Sequence, residues 1–140
     1  MQEGIKGAGM KVGLGIERLI KANKISDDLT SYVQRLTGYA VDARMGGVPQ
    51  PAMSICGSGD HGIIATMPLL AVAERMKIGE EELAKAIVLS YLITIYIKSY
   101  SGRLSAFCGC AVAAGIGASV GIVYLLGGAI VIIMAVQGIN

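Results

Sequence analysis

The sequence predicts an all-α fold: a compact helical domain whose later helices are buried and rich in Gly and Ala. Three observations predict it. Apolar side chains recur at helical spacing in successive segments that open on capping or acidic residues and close on glycine. No segment shows a strong alternating strand pattern. The composition is 54% apolar with 20 Gly, one Phe and no Trp, so packing must rest on aliphatic and small side chains. A chain of 140 residues buries one core, so residues 1–140 are read as a single domain.

The first helix is expected from about Ser26. A capping residue and two acids, Asp27 and Asp28, precede Leu29, Val33, Leu36, Ala40 and Ala43, and Gly46-Gly47 stop the run. The second is expected over Gly62 to Met76, with Pro68 kinking it or shortening its first turn. The third is expected over IGEEELAKAIVLSYLITIYIKSYSGR, with acids in the first turn, Lys98 and Arg103 near the end and Gly102 as terminator. Its ITIYI run suits a strand, but the length of the segment argues for helix. Beyond Arg103 no charged side chain occurs, from Leu104 to Asn140. Such a tail is long enough for a membrane span, even a hairpin broken at Gly127-Gly128. Ala113, Gly117 and Gly121, spaced by four, let two backbones approach closely in a membrane or in a crowded soluble core. There is no Trp belt and no Lys or Arg beyond the tail, which weighs against a spanning hairpin.

A formal charge of +2, with both signs mixed, gives no polybasic footprint, so nucleic-acid binding is set aside. Three cysteines behind a start without a signal-peptide core argue against a secreted disulfide framework and for the reducing cytoplasm.

Two stretches carry candidate chemistry. In SICGSGDHGIIATMP, Gly57, Ser58 and Gly59 precede the only histidine, His61. The stretch lacks the Gly-Lys-Ser/Thr of a phosphate loop and the spacing of a dinucleotide fingerprint. Glycines can turn backbone amides inward at a helix start, where a carboxylate sits well. The plainer reading is a helix-to-helix loop without ligand, with His61 solvated or capping a carbonyl rather than acting as ligand or base. In FCGCAVAAG, Cys108 and Cys110 are too close for an easy disulfide. They are read as buried small hydrophobes or as ligands for iron or zinc, and Cys56 completes no zinc pattern with them.

Taken together, DARMGG, PAMS, GSGDHGIIAT, TIYIKSYSGRLSAFCGCAVAAGIGASVGI and YLLGG resemble the serine dehydratase-like alpha-chain family from about Gly38 to Gly128. That group includes L-cysteine desulfidases and is related to iron-sulfur L-serine dehydratases. The resemblance implies a piece of a longer cytoplasmic lyase. Its reaction is the β-elimination of a small L-amino acid, L-cysteine or L-serine, to pyruvate and ammonia. It also implies a 4Fe-4S cluster held by three cysteines, with one iron open to the substrate. Cys110 is then the first ligand and Cys108 the second, further cysteines lie beyond Asn140, and this piece by itself holds no cluster and is inactive. Gly57, Ser58, Gly59 and His61 would line the substrate site, with Lys98 and Arg103 supplying positive charge. For these two cations, helix C-terminal charges complementing the dipole are the competing reading. The loop departs from the family's Ser-Gly-Ser-Gly-Asn-Gln-Gly pattern: Cys56 precedes the Gly, and Asp60-His61 replace the amides. The partners expected are the amino-acid substrate and further copies of the chain, since the uncharged tail must be covered, with no nucleic acid and no membrane. The alternative is a small helical membrane or assembly protein with a Gly-rich hairpin and no catalysis.

Overall fold

In a computed structural model that describes residues 2–102 and 105–128, the chain is helical, and among those residues there is no strand. The helices are α1 (Gln2–Ile5), α2 (Val12–Lys21), α3 (Leu29–Met45), α4 (Gly59–Met76), α5 (Glu80–Ser101) and α6 (Gly115–Leu125). A π-helical turn, Cys110–Ala114, runs directly into α6. The all-α expectation therefore holds.

Helix α3 begins later than expected. Its cap is Asp28, whose carboxylate accepts the Ser31 N–H at 2.8 Å, because a run of three capping residues does not fix which one turns the chain. Its end agrees with the sequence, with Gly46 as C-cap and Gly47 in the left-handed region. Helix α4 starts at Gly59, three residues before the expected start, so Pro68 lies in the middle of the helix and His61 in its first turn. Helix α5 opens on Glu80, Glu81 and Glu82 and closes at Gly102, as its charge pattern foretold.

Helices α1 and α2 have no counterpart in the sequence-based expectation. They pack on α3, and α3 packs on α4, whose far side meets α5, α6 and the π-helical turn. Leu36, Tyr39 and Ala71 form the core between α3 and α4, with Leu14 and Met67 against it. Leu69, Ala86 and Ala118 form the core between α4, α5 and α6. A third cluster, Ile55, Ala65 and Ala114, lies under the loop that leads into α4.

Helix α2 follows Lys11, which is left-handed and gives no side-chain cap. Instead the buried Asp42 of α3 accepts the Gly13 N–H at 2.9 Å, placing a carboxylate at the positive end of α2. The buried stripe of α5 is Ala86, Ser90, Thr94 and Lys98, spaced by four. The Ser90 hydroxyl donates to the Ala65 carbonyl at 2.9 Å and the Thr94 hydroxyl to the Ser90 carbonyl at 2.7 Å, so these buried polar groups are satisfied. The outer stripe is apolar and exposed, with Val88, Leu92, Tyr96 and Tyr100. Helix α5 is also long and apolar enough to cross a membrane. In the uncharged tail the described helix, Cys110–Leu125, is shorter than a span, and the second arm of the expected hairpin lies outside the described residues. The Ala113, Gly117 and Gly121 face is buried against α5 and α4, a crowded core, which was one of the two roles the spacing left open.

Candidate functional site

The loop before α4 closes on itself. Ile55 and Ser58 exchange both backbone hydrogen bonds at 3.0 Å, with Cys56 and Gly57 in the left-handed region at φ 51° and 81°, a geometry that suits Gly and strains Cys. Ser58 then caps α4, its Oγ accepting the His61 N–H at 3.4 Å. Of the four free N–H groups at the start of the helix, those of Ser58 and His61 are thereby taken, leaving Gly59 and Asp60.

His61 is a buried side chain, 7% exposed, so its solvated-loop reading does not hold. Its Nδ1 lies 3.3 Å from the Ile55 carbonyl oxygen. The ring points towards Gly109: a Cβ placed there would run into Nε2, would lie 2.9 Å from Cε1, and would stand 3.5 Å from the Nζ of Lys98. Lys98, in the last turn of α5, is only 4% exposed. Three separate parts of the chain thus meet at one point: the start of α4, the end of α5 and the entry to the π-helical turn. Around it opens a cleft of about 530 Å³ lined by Cys56, Gly57, Ser58, His61, Lys98, Ser105, Phe107 and Gly109. A second cleft, about 410 Å³, lies between α3 and the loop after it, lined by Ala43, Arg44, Val48, Pro51 and Met67 among others. It holds no group suited to proton transfer, so the first cleft is the better candidate.

Of the residues marked out in the sequence, Gly57, Ser58, His61 and Lys98 come together at this cleft. Gly59 is buried instead under the Arg44 side chain, whose Nε lies 3.1 Å from where its Cβ would be. Arg103 lies outside the described residues. Gly109, Ser105, Phe107 and Cys56 were not singled out as lining. Only Gly109 had a signal, a glycine between two cysteines.

Cys108 and Cys110 flank Gly109. Cys108 is exposed, and the backbone N–H groups of Ala111 and Cys110 favour its thiolate, lowering its pKa. Cys110 is half-buried, and burial, then the neighbouring Cys108 and Asp60, push its thiol up. The Oδ1 atom of Asp60 is buried with no hydrogen-bond partner among the described residues. No group of three or more His, Cys, Asp or Glu side chains that could hold a metal occurs among those residues. The pair of thiols therefore does not make a complete site for a cluster that needs three protein thiolates.

Several relatives cover most of this chain. A UPF0597 protein of Clostridium botulinum strain Hall is 51% identical over 129 residues, 92% of this chain and 29% of the relative. One from Desulfotalea psychrophila is 49% identical over 122 residues, 87% of this chain and 28% of the relative. One from Clostridioides difficile strain 630 is 48% identical over 120 residues, 86% and 28%. The chain therefore spans under a third of the length of the curated relatives it matches. No solved structure matches it. Residues 1–137 match the family model for the serine dehydratase alpha chain, and with the fold and the relatives this shows that the chain belongs to the serine dehydratase alpha-chain family.

Proposed function

We propose that this chain is part of the catalytic region of an iron-sulfur lyase that eliminates the β-substituent of a small L-amino acid, L-cysteine or L-serine, to give pyruvate and ammonia. The single observation that carries the reading is the cleft where Lys98 and His61 meet, two nine-tenths-buried ionisable side chains in a chain of this family. A buried ammonium suits a substrate carboxylate, because a charge-assisted pair is strongest where water is excluded. Pairing the carboxylate with Lys98 also draws electron density from the α-carbon, which loses its proton in the reaction. The Gly57-Ser58 turn shapes the wall, and the Ser58 hydroxyl, whose lone pair caps α4, keeps its proton to donate to the carboxylate.

Cys110 and Cys108 are proposed as ligands of a 4Fe-4S cluster in the longer protein, the remaining thiolates coming from the part of the relatives' length that this chain does not span. That cluster would supply a Lewis acid for the leaving group. It follows that the 140-residue chain alone binds no cluster and forms no pyruvate. We place the protein in the cytoplasm as a homo-oligomer without nucleic-acid partners.

Anaerobically prepared longer protein should form pyruvate from L-cysteine or L-serine, with the brown absorbance of a cluster that Cys110→Ser removes together with activity. Pyruvate formation by the isolated chain, or full activity in Cys110→Ser, would overturn the cluster assignment. A second reading, a helical membrane or assembly protein without catalysis, is favoured by the exposed apolar stripe of α5. Recovery of the protein only in detergent, with no pyruvate formed, would select it.

A further inference from the structure

We propose that His61 is the base that takes the α-proton of the substrate, an inference that rests on the elimination reading above. The Ile55 carbonyl can only accept, so in the uncharged ring the hydrogen sits on Nδ1 and the lone pair on Nε2. That carbonyl does not wander, since it also accepts the Ser58 N–H at 3.0 Å in the closed turn. The ring is further held by burial and by its place in the first turn of α4. Nε2 makes no hydrogen bond among the described residues, and it faces the bare Cα of Gly109 on the side where Lys98 Nζ also arrives. The lone pair and the ammonium thus face one small space. A carboxylate on Lys98 places the adjoining α-carbon, one bond away, next to Nε2.

The steps balance. Nε2 takes the α-proton, the C–H electron pair forms the Cα=Cβ bond, and the Cβ–S or Cβ–O bond breaks with its pair on the leaving group. The leaving hydrosulfide or hydroxide takes the proton that the substrate ammonium gives up, so hydrogen sulfide or water departs from 2-aminoacrylate. The imidazolium returns its proton to Cβ, and the resulting imine takes up one water and releases ammonium and pyruvate. No oxidant or reductant is consumed.

The test is His61→Gln in the longer protein, since the carboxamide keeps a donor for Ile55 and the polar bulk but has no basic nitrogen. The expected result is a fall in kcat of about 10²- to 10⁴-fold, with KM little changed and the melting temperature retained. The α-deuterium isotope effect on kcat/KM should rise, because proton removal becomes slower. Unchanged kcat in His61→Gln overturns the proposal, and so does a lowered kcat with an unchanged isotope effect, which marks a structural role. If the unsubstituted protein forms no pyruvate at all, the elimination reading falls, and this inference falls with it. Should His61→Gln not fold, His61→Asn, which also places an amide nitrogen towards Ile55, takes the same measurement.

Discussion

Glycine builds two helix seams in this molecule, one at each end of the chain, and they differ in what the glycines touch. In the first, α1 and α2 lie on α3 backbone against backbone. A Cβ on Gly4 would run into the Tyr39 carbonyl, one on Gly9 into the Asp42 carbonyl, and one on Gly13 into the Tyr39 ring and its N at 2.7 Å. Gly38 and Gly46 of α3 meet Gly13 and Gly9 from the other side, at 3.0 and 2.6 Å. In the second seam, Gly117 of α6 sits on the Thr94 hydroxyl and the Ser90 carbonyl of α5, and Gly121 on the Leu69 side chain and the Ala86 carbonyl. The first seam has only backbone and a rigid ring to yield, and none of its residues lines the cleft. The second rests on the stripe that ends, one turn later, in Lys98. Damage to the first should therefore be paid in stability, whereas damage to the second should also reach the site.

The largest effect that separates the two seams is expected at Gly13→Ala. The added methyl has no room, and overpacking of a rigid contact costs about 3 kcal/mol or more. Urea unfolding should show this loss while kcat in the longer protein stays unchanged. Gly117→Ala should also cost stability, about 1–3 kcal/mol or more, because the added methyl meets the Ser90 carbonyl at 2.5 Å as well as the Thr94 hydroxyl. Here kcat should fall as well, since the shift propagates to Lys98. Equal losses of activity in both variants would erase the distinction.

A smaller effect sharpens the description of the first seam. Tyr39 is buried at its centre and hydrogen-bonds Glu17, and burial, then this carboxylate, push its phenol up to about 12. The folded state thus holds this proton more tightly than the unfolded chain. The resulting stabilisation is complete below pH 10 and is lost as pH rises from there through about 12. Its size is on the order of 2–3 kcal/mol. Tyr39→Phe should cost about 1 kcal/mol near neutral pH and should flatten the fall of stability above pH 10. An unaltered alkaline profile would place the titrating group elsewhere.

The seams also explain what was legible in the sequence. Gly117 and Gly121 lie four apart on one helix, so their shared face could be read directly. In the first seam Gly4, Gly13 and Gly38 come from three different helices and each weakens the helix it sits in, while Gly9 lies in the turn between α1 and α2, so no single stretch displays the shared face and no helix was expected over residues 2–21. Helices α3 to α5 were legible because caps, acids and terminators agree with the apolar period. The start of α4 was not, because the Gly-Ser-Gly run reads as loop while Ser58 in fact begins the helix. The cleft was half legible. Lys98 stands out as a cation at the end of an apolar run, but its burial depends on Ser90 and Thr94 turning the same face inward. His61 reads as a loop histidine that is either solvated or capping a carbonyl; the contact of Nδ1 with the Ile55 carbonyl fits the second reading, and only the closed turn at Ile55 and the bare Cα of Gly109 reveal where its two nitrogens point.

That the cleft between α4, α5 and Gly109 is the substrate site is tested most directly by Lys98→Met in the longer protein, followed through pyruvate formation from L-cysteine and L-serine. Removing one partner of a buried charge pair costs about 3–5 kcal/mol, so kcat/KM should fall by 100-fold or more. Unchanged kcat/KM in a folded Lys98→Met protein would contradict the assignment of the cleft.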